Sequence, residues 1–240
     1  MVRPLVWDSR GENPRRWDET DSGKLRSAIN TISYAKSIKM GKGTQIKLTI
    51  VVPTIGRITL KRLLESLIYS GISSTDEVLL LADDGPKEME IPTSYSWLPI
   101  RVERVGARRN DWGMHARNLS PQLAHGTHHG FIDDDDMYLD GSLLEVKKIL
   151  PLAPDLVHLF RVRICPGGHL VWNDQAVRVG NVSTQCVFVP AQGPRGKWAP
   201  EYAGDHKFIE STIAARGGES PVWSDKIIAE LYPSWSRPGG

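Results

Sequence analysis

Between Ile46 and Asp136 the chain alternates two hydrophobic periods, and that alternation restricts the fold more than any other feature. Leu48-Thr49-Ile50-Val51-Val52 is a short apolar, β-branched run, the pattern of a strand buried on both faces. Leu60, Leu63, Leu64, Leu67 and Ile68 then recur at helical spacing, and Gly71 ends that stretch. Glu77-Val78-Leu79-Leu80-Leu81 repeats the buried-strand pattern. Ile100 to Val105 reads as a weaker third strand, Met114 to Ala124 as a helix stopped by Gly126, and His129-Gly130-Phe131-Ile132 as the next strand. Strands alternating with helices fold as a parallel sheet with right-handed crossovers, which puts the chain in the α/β class.

In such sheets ligands bind beyond the carboxyl ends of the strands. Three polar segments sit at those ends: Pro53 to Arg57, Asp83-Asp84-Gly85, and Asp133 to Asp136. Four consecutive carboxylates repel one another, and a hard divalent cation such as Mg²⁺ or Mn²⁺ relieves the repulsion. An acidic run alone is equally at home in a solvated loop. Its convergence with two other loops on one sheet edge favours a ligand site.

The second half reads differently. Leu156 to Val162, His169 to Trp172 and Thr184 to Val189 have strand character, with Pro166-Gly167-Gly168 as a turn. A helix from about Asp205 to Arg216 and a strand near Lys226 to Leu231 follow, so this region is expected to be antiparallel or mixed. Residues 1–44 form an N-terminal extension. Its arm carries Arg3, Arg10, Arg15 and Arg16 beside Trp7 and Trp17, and its helix is marked by Leu25, Ala28, Ile29, Ile32 and Ala35. The domain proper is expected over 45–232, in two halves (45–145 and 146–232), with a loose tail from 233 to 240.

Composition supports a real core, with 40% hydrophobic residues, while a net charge of +2 is too weak to argue for nucleic acid. Cys165 and Cys186 match no metal spacing and make no disulfide framework, which suits a reducing cytoplasm. No segment approaches the roughly 20 apolar residues of a membrane helix, and Met1 to Asp21 lacks a signal-peptide core. No Walker A loop or GxGxxG follows a strand, and an EF-hand reading fails because Lys147 stands where the loop needs Glu.

Taken in order, Val51-Val52-Pro53-Thr54-Ile55-Gly56-Arg57, Asp83-Asp84-Gly85, Gly113-Met114-His115-Ala116-Arg117-Asn118 and the acids at 133–136 resemble the GT-A glycosyltransferases, especially family 2. The third motif departs by one residue in spacing from the family's Gly-x-x-x-Ala-Arg-Asn. The resemblance covers residues 46 to 145. It implies a GT-A, Rossmann-like sheet flanked by helices, a nucleotide-sugar donor (a UDP-sugar above all), Mn²⁺ or Mg²⁺, and inverting transfer to a hydroxyl acceptor. Pro53, Thr54 and Arg57 would line the donor pocket, Asp83 or Asp84 would meet the base or ribose, and Arg117 would approach the nucleotide. Asp133 would face the ribose or the metal. Asp135 best matches the family's metal ligand, Asp134 competes for that place as well as for the donor, and Asp136 is alternatively a cap for the next helix.

The resemblance also implies a catalytic base at Asp205, because Ala203-Gly204-Asp205-His206 is similar to the acidic motif ahead of a helix where inverting members place theirs. A plain helix cap is the competing role for Asp205, although Phe208 excludes a capping box. His206 is a further metal or phosphate candidate, set against an ordinary solvent-facing or core histidine. Trp172, Trp198 and Trp223 are read as core for at least two of the three. Two other functions compete. One is a non-catalytic nucleotide-sugar-binding protein on the same scaffold. The other is a DNA-modifying glycosyltransferase acting on a flipped, hydroxymethylated base, which the basic arm keeps open. Nucleotidyl transfer would need a Gly-rich loop with Arg and Lys after the first strand, and Thr54-Ile55-Gly56-Arg57 is a poor version of one.

Overall fold

A run with no polar alternation has two faces to hide, and β1 (Leu48–Thr54) is buried at every position. In the computed structural model, which describes residues 45–83, 91, 93–106, 111–201 and 203–232, β1 lies between two parallel neighbours. These are β2 (Glu77–Ala82) and β4 (His128–Phe131), and β3 (Ile100–Arg104) adds to β2, again parallel. The expected N-terminal arm and helix, Asp84 and the tail lie outside the described residues. β1 runs two residues further than its apolar core, so Pro53 and Thr54 end the strand rather than open a loop.

The helices follow the same logic. α1 (Leu60–Ser70) buries Leu60, Leu63, Leu64 and Leu67 and closes on Gly71, whose φ of 94° is the left-handed cap that glycine supplies without strain. α2 (Met114–Leu123) stops short of Gly126, with Ala124 already extended. α3 (Ser142–Ile149) starts from Gly141, so Asp136 does not cap it.

The second half of the sheet is mixed. β6 (His158–Ile164) and β8 (Val187–Pro190) are antiparallel to each other, and β8 is antiparallel to β4. The segment expected as one strand from Thr184 divides, because Thr184–Cys186 makes a 3₁₀ turn before β8. β7 (His169–Val171) pairs with β6, and β9 (Val222–Leu231) runs parallel to β6 and begins earlier than its apolar stretch. β5 (Met137–Tyr138), directly after the acidic run, is antiparallel to β9. The strand order is β3-β2-β1-β4-β8-β6-β9-β5, one sheet that carries Leu231 and Tyr232 back to the acids.

α4 (Gly204–Ala215) is held by an aromatic cluster. Phe208 stacks on Trp198 with centroids 4.0 Å apart, and both meet Phe131 edge-on. Phe131 is the last residue of β4, so this packing fixes the start of α4 beside the acidic run. Trp172 and Trp198 are core, and Trp223 packs against it partly buried. No helix among the described residues is long and apolar enough to cross a membrane.

Candidate active site

The carboxyl ends of β1, β2 and β4 open into a crevice of about 730 Å³. Pro53 and Thr54 line it from the end of β1, Arg57 from the loop beyond, Asp83 from just after β2, and Asp133 to Asp136 from the loop after β4. Ser183 to Gln185, Glu201 and Ala203 to Asp205 complete the lining. Thus the residues expected to bind a donor and the residue expected to act as base share one cavity. Arg117 does not line this crevice but reaches it through Asp133, and His206 is outside its lining. Asp84 lies outside the described residues.

The four consecutive aspartates have four environments. Asp134 is buried and has both oxygens engaged: Thr54 Oγ1 donates at 2.7 Å and Arg57 Nη1 at 3.0 Å. Burial raises its pKa, against the pull of those two donors. Its work is to lock the end of β1 to the acidic loop. Asp133 accepts from Arg117 Nη2 and from Gln185 Nε2, the latter at 3.1 Å. Asp135 accepts from Arg57 Nη1 at 3.2 Å, and its backbone carbonyl accepts from Arg62 Nη2.

Asp136 is the most perturbed. Burial, then the charge of Asp133, pushes its carboxyl up to about 7 even though Gln185 and the Tyr232 N–H donate to it at 2.5 and 2.7 Å. Burial and Asp133 thus disfavour its ionised form, and a bound cation would favour it. Asp133, Asp135 and Asp136 each present an oxygen, all within 4.8 Å of one another. Three hard oxygen donors around unrelieved charge fit Mg²⁺ or Mn²⁺. Asp134 and His206 are not in this trio.

Arg117 is almost fully buried, and its guanidinium joins Asp133 to the Trp112 carbonyl, at 2.7 Å to the latter. Asp205 lies in the first turn of α4, after Ala203 at φ 71°. Its Oδ1 accepts the His206 N–H at 2.7 Å, so it serves the helix start from inside the helix rather than from the cap position. Burial raises its pKa, and the negative charge of Asp133 adds to the rise. His206 Nδ1 is buried with no hydrogen-bond partner among the described residues.

Gln185, Tyr232 and Arg62 were not legible as site residues in the sequence. Gln185 sits before a plain apolar strand, and Tyr232 follows another. Arg62 is a helix residue whose guanidinium stacks on the Tyr232 ring at 4.1 Å while gripping the Asp135 backbone.

A mainly parallel sheet ending in an acid-lined crevice, continued by a mixed half that returns to it, defines a GT-A-type α/β protein. Solved structures with this fold include residues 1–349 of S. aureus TarS, a GT-A-type glycosyltransferase, at a TM-score of 0.61 and 18% identity. That match covers 78% of this chain and 60% of the TarS chain. The same region in complex with UDP-GlcNAc matches at 0.61 and 19% identity, over 81% of this chain and 60% of that one. The complex with UDP matches at 0.61 and 19%, over 79% and 61%. The chain therefore spans about three-fifths of the TarS 1–349 structures. No protein-family model and no curated protein matches the sequence.

Proposed function

We propose that this protein is a metal-dependent glycosyltransferase that moves a sugar from a UDP-sugar to a hydroxyl acceptor with inversion. The observation that carries the reading is that Asp205 and the Asp133–Asp135–Asp136 trio line one crevice. The TarS structures that share the fold include complexes with UDP and UDP-GlcNAc, which favours a uridine donor.

Asp133, Asp135 and Asp136 would hold Mg²⁺ or Mn²⁺, which neutralises charge developing on the departing diphosphate. Arg57, half-exposed at the crevice and paired with Asp134 and Asp135, is placed to take part of the same charge. Asp205 takes the proton of the acceptor hydroxyl as that oxygen bonds the anomeric carbon and the bond to the diphosphate breaks. One displacement of this kind inverts the anomeric centre. The raised pKa of Asp205 makes it a stronger base than a solvated aspartate once it is ionised. Two unpaired cysteines, one of them buried, are consistent with our placing the enzyme in a reducing cytoplasm.

A thermal-shift screen of UDP-sugars with Mn²⁺, followed by donor hydrolysis, tests the reading. A UDP-sugar should raise the melting temperature only with metal, and its sugar should be released slowly to water. Binding without any turnover would convert the protein into a non-catalytic sugar-nucleotide receptor. No binding of any sugar nucleotide would reject the donor class.

A further inference from the structure

The fold alone does not account for the conformation and exposure of Trp112. Its side chain is 68% exposed while lining the crevice. Its backbone sits at φ 56°, in the left-handed region that a bulky residue enters only under constraint. Among the described residues one other non-glycine, Ala203, has a positive φ, and it lines the same crevice. An exposed aromatic ring by itself says nothing. Strain retained at the rim of an acid-lined crevice does.

The constraint is visible from both sides. Arg117 donates to the Trp112 carbonyl at 2.7 Å with the guanidinium that also holds Asp133. Gly113 follows at φ 76° against β1, where an added Cβ would stand 2.6 Å from the Cβ of Pro53. Before it, the Asp111 carboxylate accepts the His115 N–H at 2.9 Å and its carbonyl the Met114 N–H at 3.1 Å. The turn is clamped, and the exposed indole is what it presents.

We propose that Trp112 is the platform on which the pyrimidine base of the donor stacks, an inference that rests on the UDP-sugar reading above. The turn is anchored on Pro53 at the end of β1. The backbone N–H of Asp83, at the end of β2, donates to the carbonyl of the next residue, Thr54, at 2.9 Å. Pro53, Ile55, Trp112 and Met114 supply apolar lining to a crevice whose acids would hold the diphosphate. A base has a π-face for an indole, whereas a diphosphate has none, and such stacking is worth roughly tenfold or more in affinity.

The test is titration of the wild type, Trp112→Phe and Trp112→Gly with UDP and, separately, with inorganic pyrophosphate, both with Mn²⁺, alongside melting temperatures. UDP should weaken about tenfold in Trp112→Gly and little in Trp112→Phe, with pyrophosphate unchanged in both. Glycine relieves the left-handed strain, so Trp112→Gly should melt no lower than the wild type. Equal UDP affinity in Trp112→Gly, or UDP and pyrophosphate weakening together with a lower melting temperature, would overturn the platform. A wild type that binds pyrophosphate but not UDP overturns it too, together with the uridine donor.

Discussion

The side-chain amide of Gln185 donates to the carboxylate of Asp136 at 2.5 Å. The same nitrogen reaches Asp133 at 3.1 Å, so one neutral side chain aligns two members of the acidic trio. An amide orients both carboxylates without supplying positive charge. Arg57 and Arg117 offset part of the trio's charge, and the remaining deficit is left for a cation.

The first prediction follows from that deficit. Asp135→Ala should abolish the Mn²⁺ dependence of UDP binding, and EDTA should reproduce the loss in the wild type. The fold should survive, because removing one of four adjacent negative charges relieves repulsion. Calorimetric titration of UDP with and without Mn²⁺ checks it. Equal affinities in EDTA and Mn²⁺ would remove the metal from the site.

Arg117→Lys should fail as a conservative change. A single ammonium cannot span the Trp112 carbonyl and Asp133, which the planar guanidinium does. Since Arg117 is buried but Asp133 is partly exposed, the loss should be about 2 kcal/mol, below that of a fully buried pair. Urea denaturation measures it, and UDP affinity should fall in the same variant because Asp133 loses its orientation.

Asp205→Asn should bind donor as well as the wild type and lose transfer by roughly 100-fold or more, since an amide cannot accept the acceptor's proton. Asparagine still offers an oxygen to the His206 N–H, so the melting temperature should hold. In the wild type the raised pKa of Asp205 means that activity falls with acidification from above the usual carboxylate range. Transfer at the wild-type rate would show that Asp205 only serves the helix.

The fold itself should be acid-sensitive through His158. This ring is fully buried with Nε2 donating to the Ala153 carbonyl at 2.8 Å, and burial lowers its pKa to about 4. A depressed histidine contributes stability that is complete above its unfolded value and is lost as pH falls from about 6.5 toward 4, on the order of 3 kcal/mol. The aspartates raised at the crevice act in the opposite sense, so the wild type alone does not isolate the effect. The difference between wild type and His158→Gln does: the gap in unfolding free energy should narrow between pH 7 and pH 4.5. A gap independent of pH would contradict the assignment.

What the sequence determined by itself is the local part of this protein. The runs at 48–52 and 77–81 have no polar alternation, so each is buried on both faces whatever surrounds it, and both are interior strands. The spacing from Leu60 to Ile68 and the glycine at 71 specify a helix and its end in the same way. Because sheet chemistry places ligands at strand ends, the acids at 133–136 could be located before their neighbours were known. Their division of labour was not legible. Asp134 is claimed by Thr54 from 80 residues away, Asp136 by Gln185 from 49 and by Tyr232 from 96, and periodicity carries no record of such pairings. Only the tertiary structure, by pairing β5 with β9 and seating Phe208 on Trp198 and Phe131, decided which partners each carboxylate meets. The physical reason is that burial and hydrogen-bond partners, which set a carboxylate's charge and direction, are properties of the space around it and not of its position in the chain.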